Sequence, residues 1–399
     1  MGKLGVASRH NTAIRNAAAS LILAGFAMHA YGAEEYRTRQ TPFGQFGGDI
    51  AAEADTPGFF GTVLFTNAII NKVADDNGNQ VPNPARAIPL PTAAYTAGAI
   101  PNGTYTYTMP AAPISFHQSQ QVLSLLGGYL TEETYWGGHL ALAIEVGYSD
   151  IQRNFYLTLP PSAITPTPPA TLSPLGKAVI AGITTVINGK VQAATATYLA
   201  AQNQDVSGAN DTQLAAIWLR HQGNLKIAAG ATLFVPTGSY DVNRGPNPGL
   251  GNFYTLRPGV AATYALNPNH TSVDWDSGVT IAGRMSLDIN STNKDTQYHT
   301  GDLLYTELAI VKVAGNWAVG TNVSNTTQIT DDSGSGINTP LPYATTSPGP
   351  LRYAVSSIGP FLSYKFRGEA GLNVSYNRNF DARNALSGTF WQLNFIKAW

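Results

Sequence analysis

Cysteine is absent from the 399 residues of this chain. Disulfides and thiolate metal sites are therefore excluded, and passage through an oxidising compartment is compatible with the sequence. Charge is scarce: Asp, Glu, Lys and Arg make up 12% of the chain, against roughly 25% in soluble globular proteins. Long apolar runs are missing too. The clearest, Ala17 to Ala27, has 11 residues, against the roughly 20 that a spanning helix needs. A helical membrane protein is thus excluded, while a water-soluble globule of this length looks under-charged. A transmembrane barrel accommodates both facts, because its strands are apolar only at every second position.

Chemical motifs are lacking as well. No Gly-x-Ser-x-Gly elbow, His-Glu-x-x-His zinc motif or phosphate-binding Gly-rich loop occurs. His117, His139, His221, His270 and His299 all stand more than five residues apart. No metal or cofactor is expected, nor an enzyme. A barrel hydrolase with a His139 or His299 site is the minor alternative. The Asp-rich stretches at 75–79 and at Asp331-Asp332 lack a complete calcium-loop pattern and read as polar hairpin tips.

What is present begins with a tripartite start. Lys3, Arg9, His10 and Arg15 precede the apolar run, and Ala30-Tyr31-Gly32 follows as a small-x-small cleavage site. Residues 1–32 are expected to be a secretory signal peptide and 33–399 the exported domain. An uncleaved anchor is the weaker alternative. Removing Lys3, Arg9 and Arg15 leaves 20 basic against 24 acidic residues, which is no footprint for nucleic acid. At the other end, Trp391, Leu393, Phe395 and Trp399 share one face of a strand. Such a strand suits a lipid-facing wall with an interfacial aromatic. It resembles the C-terminal signal read by the bacterial barrel assembly machinery, with Lys397 departing from that pattern.

Period-two alternation sets the fold class. Leu140, Leu142, Ile144, Val146 and Tyr148 alternate with His139, Ala141, Ala143, Glu145 and Gly147. Leu225 to Val235 presents Lys226, Gly230 and Thr232 on its second face. Around Tyr254 to Tyr264 the second face carries Thr255, Arg257 and Thr263, and from Val279 to Ile289 it carries Thr280, Arg284, Ser286 and Asp288. Leu372, Val374 and Tyr376 alternate with Asn373, Ser375 and Asn377. Leu303 to Val313 is apolar on both faces. The expectation is an all-β chain: one antiparallel transmembrane β-barrel of about 12 strands (10 to 16), with long extracellular loops. Alternation alone would equally suit a sandwich with one wet face.

Two stretches break the rhythm. Residues 82–113 hold seven prolines, and 158–210 combine a Pro/Thr/Ser-rich run with an Ala/Thr/Val tract from Lys177 to Gln204 that could be helical. Both read as long outer loops, with an inward-folded plug as the alternative for either. A Lys or Arg facing lipid at mid-bilayer costs about 2–4 kcal/mol, so His139, Glu145, Lys226, Arg257, Arg284 and Asp288 are expected to line the lumen. There they either pair with one another or border a polar passage. Arg284 and Asp288 stand too far apart on one strand to pair directly, which favours cross-strand partners.

Several stretches are similar to those of the phenol meta-pathway degradation family of outer-membrane proteins. They are Phe234-Val-Pro-Thr-Gly-Ser-Tyr-Asp241 after Trp218 and Asn224, and Pro57-Gly58-Phe59 with Asp75-Asp-Asn-Gly-Asn79. In the C-terminal half they are Thr300-Gly301-Asp302, Thr330 to Gly336, Gly359-Pro360 and Phe390-Trp391. The resemblance covers roughly 43–80 and 213–399, and Asn210-Asp211-Thr212 stands where a Gly-Asp step is usual. It implies an outer-membrane barrel that admits hydrophobic or aromatic compounds, and it supplies no catalytic residues. The expected function is passive uptake of a small hydrophobic solute across the bacterial outer membrane, with lipid and lipopolysaccharide around the wall. The alternative is a structural or adhesive barrel with a filled lumen, acting through its outer loops.

Overall fold

The computed structural model describes residues 38–39, 57–81, 85–90, 104–167, 169–266, 278–335, 352–367 and 369–399. The expected leader, the turn at Asn267-Pro268-Asn269 and His270 lie outside them.

In chain order the strands are β1 (Gly58–Ala74), β2 (Arg86–Leu90), β3 (Thr104–Met109), β4 (Ile114–Tyr135), β5 (Gly138–Leu157) and β6 (Ala163–Thr167). The helix α1 (Pro174–Gln202) follows, then β7 (Asp205–Ala209), β8 (Thr212–Gln222), β9 (Leu225–Val235) and β10 (Thr255–Ala265). The chain continues with β11 (Val279–Asn290), β12 (Leu303–Ala314), β13 (Trp317–Gln328), β14 (Ala354–Phe366), β15 (Ala370–Arg383) and β16 (Ala385–Ala398). Each of β4, β5 and β8–β16 pairs antiparallel with its neighbour, and β1 pairs with both β4 and β16. The sheet therefore closes on itself as a 12-stranded barrel, with β7 added on the distal part of β5. Closure removes every open edge, the condition for strands to survive in hydrocarbon.

Alternation places the side chains as the sequence predicts. Leu142, Ile144, Val260, Ile281, Leu308, Val374 and Leu393 all point outward and are exposed. In a soluble sheet such a continuous apolar surface would have to be covered. On β5 the apolar outer face runs from Leu140 to Tyr148 and gives way to Asp150, Gln152 and Asn154. Those nine apolar-belt residues at about 3.3 Å each, tilted by roughly 40°, span roughly 23 Å, close to the apolar band of an outer-membrane barrel. The partner β4 switches at the matching place, from Ser119 and Gln121 to Leu123 and Leu125. Beyond that level β4 and β5 stand clear of the membrane.

Most connections are short at the end holding Gly58 and Trp399 (Trp136-Gly137, Gly223-Asn224, Gly315-Asn316), with 266–278 the exception, and most are long at the other end, where Asn384 alone joins β15 to β16. Gly223 and Gly315 have φ of 60° and 59°, the left-handed geometry that two-residue hairpins require. Trp136, Trp317 and Trp399 crowd the short-turn rim and are exposed, as interfacial aromatics are. Lys397 and Lys312 occupy outward positions near this same rim, where a long stem can lift its ammonium to the interface.

The described parts of the two irregular stretches fold together. β2, β3 and β6 make a separate three-stranded sheet, on which Ile183, Ile187 and Val191 of α1 pack against Leu90, Tyr105, Tyr107, Met109 and Ile164. Pro89 is tolerated because β2 is an edge strand. Ser173 caps α1 by accepting from the Gly176 amide at 3.1 Å, with Pro174 in the first turn. The far end of α1 reaches the lumen-facing side of the protruding strands. Tyr198 meets Phe155 edge-on at 6.1 Å, and Leu199 joins a cluster with Ile70, Ile114, Phe116 and Phe155. This layer roofs part of the long-loop mouth.

Candidate functional site: a lumen in two halves and an arginine layer

Inward side chains of β11–β15 fill their half of the barrel. Asp288, Glu307, Asn322, Gln328, Ser357, Ser363, Asn373, Ser375 and Asn377 are all buried. Arg284 Nη2 donates to Glu307 Oε2 at 3.0 Å, and Asn322 Nδ2 donates to Glu307 Oε1 at 3.3 Å. Asn373 Nδ2 donates to Ser363 Oγ at 2.8 Å. These bonds link much of the polar filling, while Asn322 Oδ1 and Ser324 Oγ are buried without a hydrogen-bond partner among the described residues.

The opposite half is hollow. A cavity of about 570 Å³ lies between β16, β1, β4, β5, β8, β9 and β10. Its wall is mostly apolar (Phe60, Leu64, Leu126, Leu130, Ala143 and Ile217), with a few polar groups added by His139, Glu145, Gln213, Lys226 and Thr263. Such a lining, apolar with sparse polar groups, is typical of small-molecule pockets. The lining runs from Gly138 and Lys226 at the short-turn rim to Thr232, a depth along β9 of about 20 Å. His139 Nδ1 donates to the Thr131 carbonyl at 2.8 Å, which fixes its ring beside the rim. Glu145 lies deeper inside, with Ser124 also on the cavity wall.

Two residues beyond Thr232 along β9, at Phe234, stands a layer of cations and rings that is not part of the cavity lining. Arg39, far ahead of β1 in the chain, is 3% exposed and sits inside the barrel. Its Nη1 donates to Asp211 Oδ2 at 2.6 Å, its Nε to Thr255 Oγ1 at 2.7 Å and its Nη2 to the Phe253 carbonyl at 2.7 Å. The Arg39 guanidinium carbon lies 4.6 Å from the Phe253 ring centre and 5.2 Å from that of Phe234. Arg257 stacks beneath, 4.7 Å from the Phe234 centre and 4.4 Å from that of Tyr305. It forms a two-pronged pair with Asp288, Nη2 to Oδ2 being 2.7 Å. The Arg39 carbonyl accepts from Arg257 and from the Tyr305 hydroxyl.

Local backbone explains why these groups meet. Asn210 and Asp211 interrupt what would be one strand from β7 to β8, and the break turns Asp211 inward. There its Oδ1 also accepts from the Gly238 amide at 2.9 Å and its Oδ2 from Leu250 at 3.2 Å. Gly238 has no room for a Cβ, since one would stand 2.6 Å from Gly249 Cα. The Phe234–Asp241 stretch is thus the loop that wraps Asp211. In β10, Pro258 lacks an amide hydrogen, and the ladder to β11 skips Arg257 and Pro258.

All six residues expected in the lumen stand at inward positions. The structure brings Arg257 and Asp288 together, gives Arg284 to Glu307, and leaves His139, Glu145 and Lys226 on the cavity wall. Arg39, Asp211, Phe234 and Tyr305 were missed. Arg39 falls in a short polar stretch without periodicity, and Asp211 drew notice only as a departure from a family pattern. His299 bonds Ser333 through its backbone at the long-loop end, away from His139. Asp75 accepts from the Asn77 and Asn79 amides at 2.9 and 2.8 Å, as a turn-capping carboxylate does. Asp332 likewise ties two loops through Gly301, Tyr298 and Gln328. Among the described residues no group of three or more His, Asp or Glu could hold a metal.

A model of the family described as "Putative MetA-pathway of phenol degradation" matches residues 169–395, more than half of the chain. The chain belongs to that family. The match takes in residues 169–212, which lie outside the stretches whose resemblance is read from the sequence, and the following strands β8 and β9 pair without a break. Among solved structures, the chain is similar to the COG4313 outer membrane channel from Pseudomonas putida F1. That likeness has a TM-score of 0.55 and 12% identity, covering 87% of this chain and 98% of that one. It shows a shared fold. A weaker similarity is to the beta domain of the Bordetella autotransporter BrkA, at a TM-score of 0.42 and 9% identity over 86% of this chain and 100% of that one. A search of curated proteins finds no match.

Proposed function

We propose that this family member is an outer-membrane channel for passive entry of small hydrophobic or aromatic compounds. The observation that carries the reading is the apolar cavity inside a lipid-facing barrel. Its about 570 Å³ suits a single-ring solute in a pocket of the usual small-molecule range. His139, Glu145, Gln213 and Lys226 supply the sparse polar contacts that would orient a ring substituent. The phenol-degradation wording of the family description and the channel named in the P. putida structure support the same reading. On this reading the long-loop end, roofed by α1, faces the exterior, as long loops do in bacterial barrels. Residues 1–32 are removed on export, lipid and lipopolysaccharide surround the wall, and the strand ending at Trp399 is what the assembly machinery engages. No step of this function needs a catalytic group.

Liposomes carrying the protein should take up toluene or phenol faster than empty liposomes. Ala143→Trp, which fills the cavity from its wall, should return the rate to that of empty liposomes while leaving heat-modifiable gel migration intact. Equal rates for parent and empty liposomes would overturn the reading. The packed β11–β15 half and the arginine layer favour a second reading, a filled barrel acting through its outer roof. A folded protein that admits neither ions nor solutes would support it.

A further inference from the structure

The cavity carries its basic groups at one end. His139, Arg220, His221 and Lys226 all line it where it meets the short-turn rim. His221 and Lys226 stand directly opposite each other in the β8–β9 ladder, and Lys226 faces Thr263 of β10. His139 lies opposite Leu219, one pleat from His221. Directly opposite side chains stand about 5 Å apart and diagonal ones about 7–8 Å, so the two imidazoles and the ammonium form one arc across three strands. The Arg220 guanidinium curls over the Trp136-Gly137 turn, where a Cβ on Gly137 would stand 3.7 Å from its Cζ. His139 Nδ1 donates to the Thr131 carbonyl and His221 Nε2 to that of Gly223. Each ring keeps one nitrogen that a proton turns into a second donor. Two residues farther in, about 6.6 Å along each strand, the wall becomes apolar at once. There Ala141, Leu219, Ala228 and Ala261 succeed His139, His221, Lys226 and Thr263 in the lining. Three of these four are alanine, which takes little of the lumen's width. Among the described residues the lining holds one carboxylate, Glu145, about 20 Å beyond His139 along β5.

We infer that the short-turn mouth of the cavity is a binding site for a compact organic anion, an aromatic carboxylate, held with its ring in the alanine layer and its head on the basic arc. Chemistry fixes the direction of the ligand. A carboxylate carried past the arc loses its hydration against an apolar wall without gaining a partner, and the next ionisable group, Glu145, is itself an acid. The ring gains by leaving water for the alanine layer. Only the pose with the head toward the rim satisfies both ends. The field of the arc also concentrates anions at the mouth and disfavours cations there. A neutral ring alcohol gains the slot without the charge. The transport half of this inference, that such acids are a substrate class of the channel, rests on the channel reading, whereas the binding half stands on the arc and the layer behind it.

The test uses the full chain in nanodiscs with benzoate, benzyl alcohol, benzylamine and acetate as probes. By saturation-transfer NMR the parent should bind benzoate about tenfold more tightly than benzyl alcohol, the effect of one hydrogen bond to a charged group. Benzylamine should bind least. Acetate, which lacks the ring, should not displace benzoate at equal concentration. In Arg220→Gln/Lys226→Gln the preference for benzoate over benzyl alcohol should vanish, with heat-modifiable migration confirming that the barrel has folded. If that variant does not fold, the comparison of probes on the parent decides by itself. Benzoate bound no more tightly than benzyl alcohol, or displaced equally well by acetate, would overturn the site. So would a preference that survives the double change. Liposome flux separates the two readings. If uptake alone fails, neither benzoate nor toluene enters although benzoate still binds; if the site alone fails, toluene enters and no preference for benzoate is seen.

Discussion

Arg257 and Asp288 face each other across the one place where the ladder between β10 and β11 is broken, with the Arg257 Nη2 to Asp288 Oδ2 distance 2.7 Å. Side chains inside the barrel thus hold a seam that the backbone does not. Asp288 is fully buried. Removing one member of a buried pair leaves the other uncompensated, at a cost of about 3–5 kcal/mol. Asp288→Ala is therefore expected to lower the midpoint of heat-modifiable migration strongly. The double change Arg257→Leu/Asp288→Leu should recover much of the loss.

Outward and inward positions on one strand should respond oppositely to charge. Leu308 faces lipid at 67% exposure near the middle of β12. Leu308→Arg should destabilise the barrel by about 2–4 kcal/mol in folding titrations into liposomes. Ala143→Arg, pointing into the cavity, should change that titration little. Equal effects would count against this assignment of faces, and a larger cost for Ala143→Arg would mean that the wall is oriented the other way.

Gly359 lies beside Pro360 where the β14–β15 ladder skips both residues. A Cβ there would stand 1.7 Å from the Tyr376 carbonyl oxygen. Gly359→Ala is expected to force the strands apart, giving a large drop in refolding yield. Gly127→Ala, whose Cβ meets nothing within 4 Å, should refold as the parent does.

The roof is expected to loosen at alkaline pH. Burial pushes the Tyr107 phenol above its ordinary value near 10, and its hydroxyl donates to Asn188 Oδ1 at 2.8 Å. A raised pKa means that the folded state holds the proton more tightly. The associated stability is complete below the ordinary value and is lost as pH climbs through the raised one. Protease accessibility of α1 should rise over that window in the parent. In Tyr107→Phe it should be flat, and a similar rise there would refute the assignment.

Much of the fold was legible in the chain. Leu140 to Tyr148, Val279 to Ile289 and Leu372 to Tyr376 alternate so regularly that their faces could be assigned from spacing, because a strand has a side-chain period of two and a lipid-facing wall tolerates no ionic residue at its centre. Leu303 to Val313 was harder to read. Its inward Leu303 and Val311 are apolar because they pack on other lumen residues, where alternation gives no signal.

The sequence by itself determined that this protein is a lipid-facing antiparallel wall with Glu145, Lys226, Arg257, Arg284 and Asp288 turned inward. Those properties depend on residues close together in the chain. Tertiary structure alone decided that Arg284 goes to Glu307 and Arg257 to Asp288, that one half of the lumen is hollow, and that Arg39 occupies a seat built from Asp211, Phe253 and Thr255. The physical reason is that the tertiary fold brings together side chains from 23 residues apart, as Arg284 and Glu307, to 216 apart, as Arg39 and Thr255, and no local pattern encodes which of them will meet.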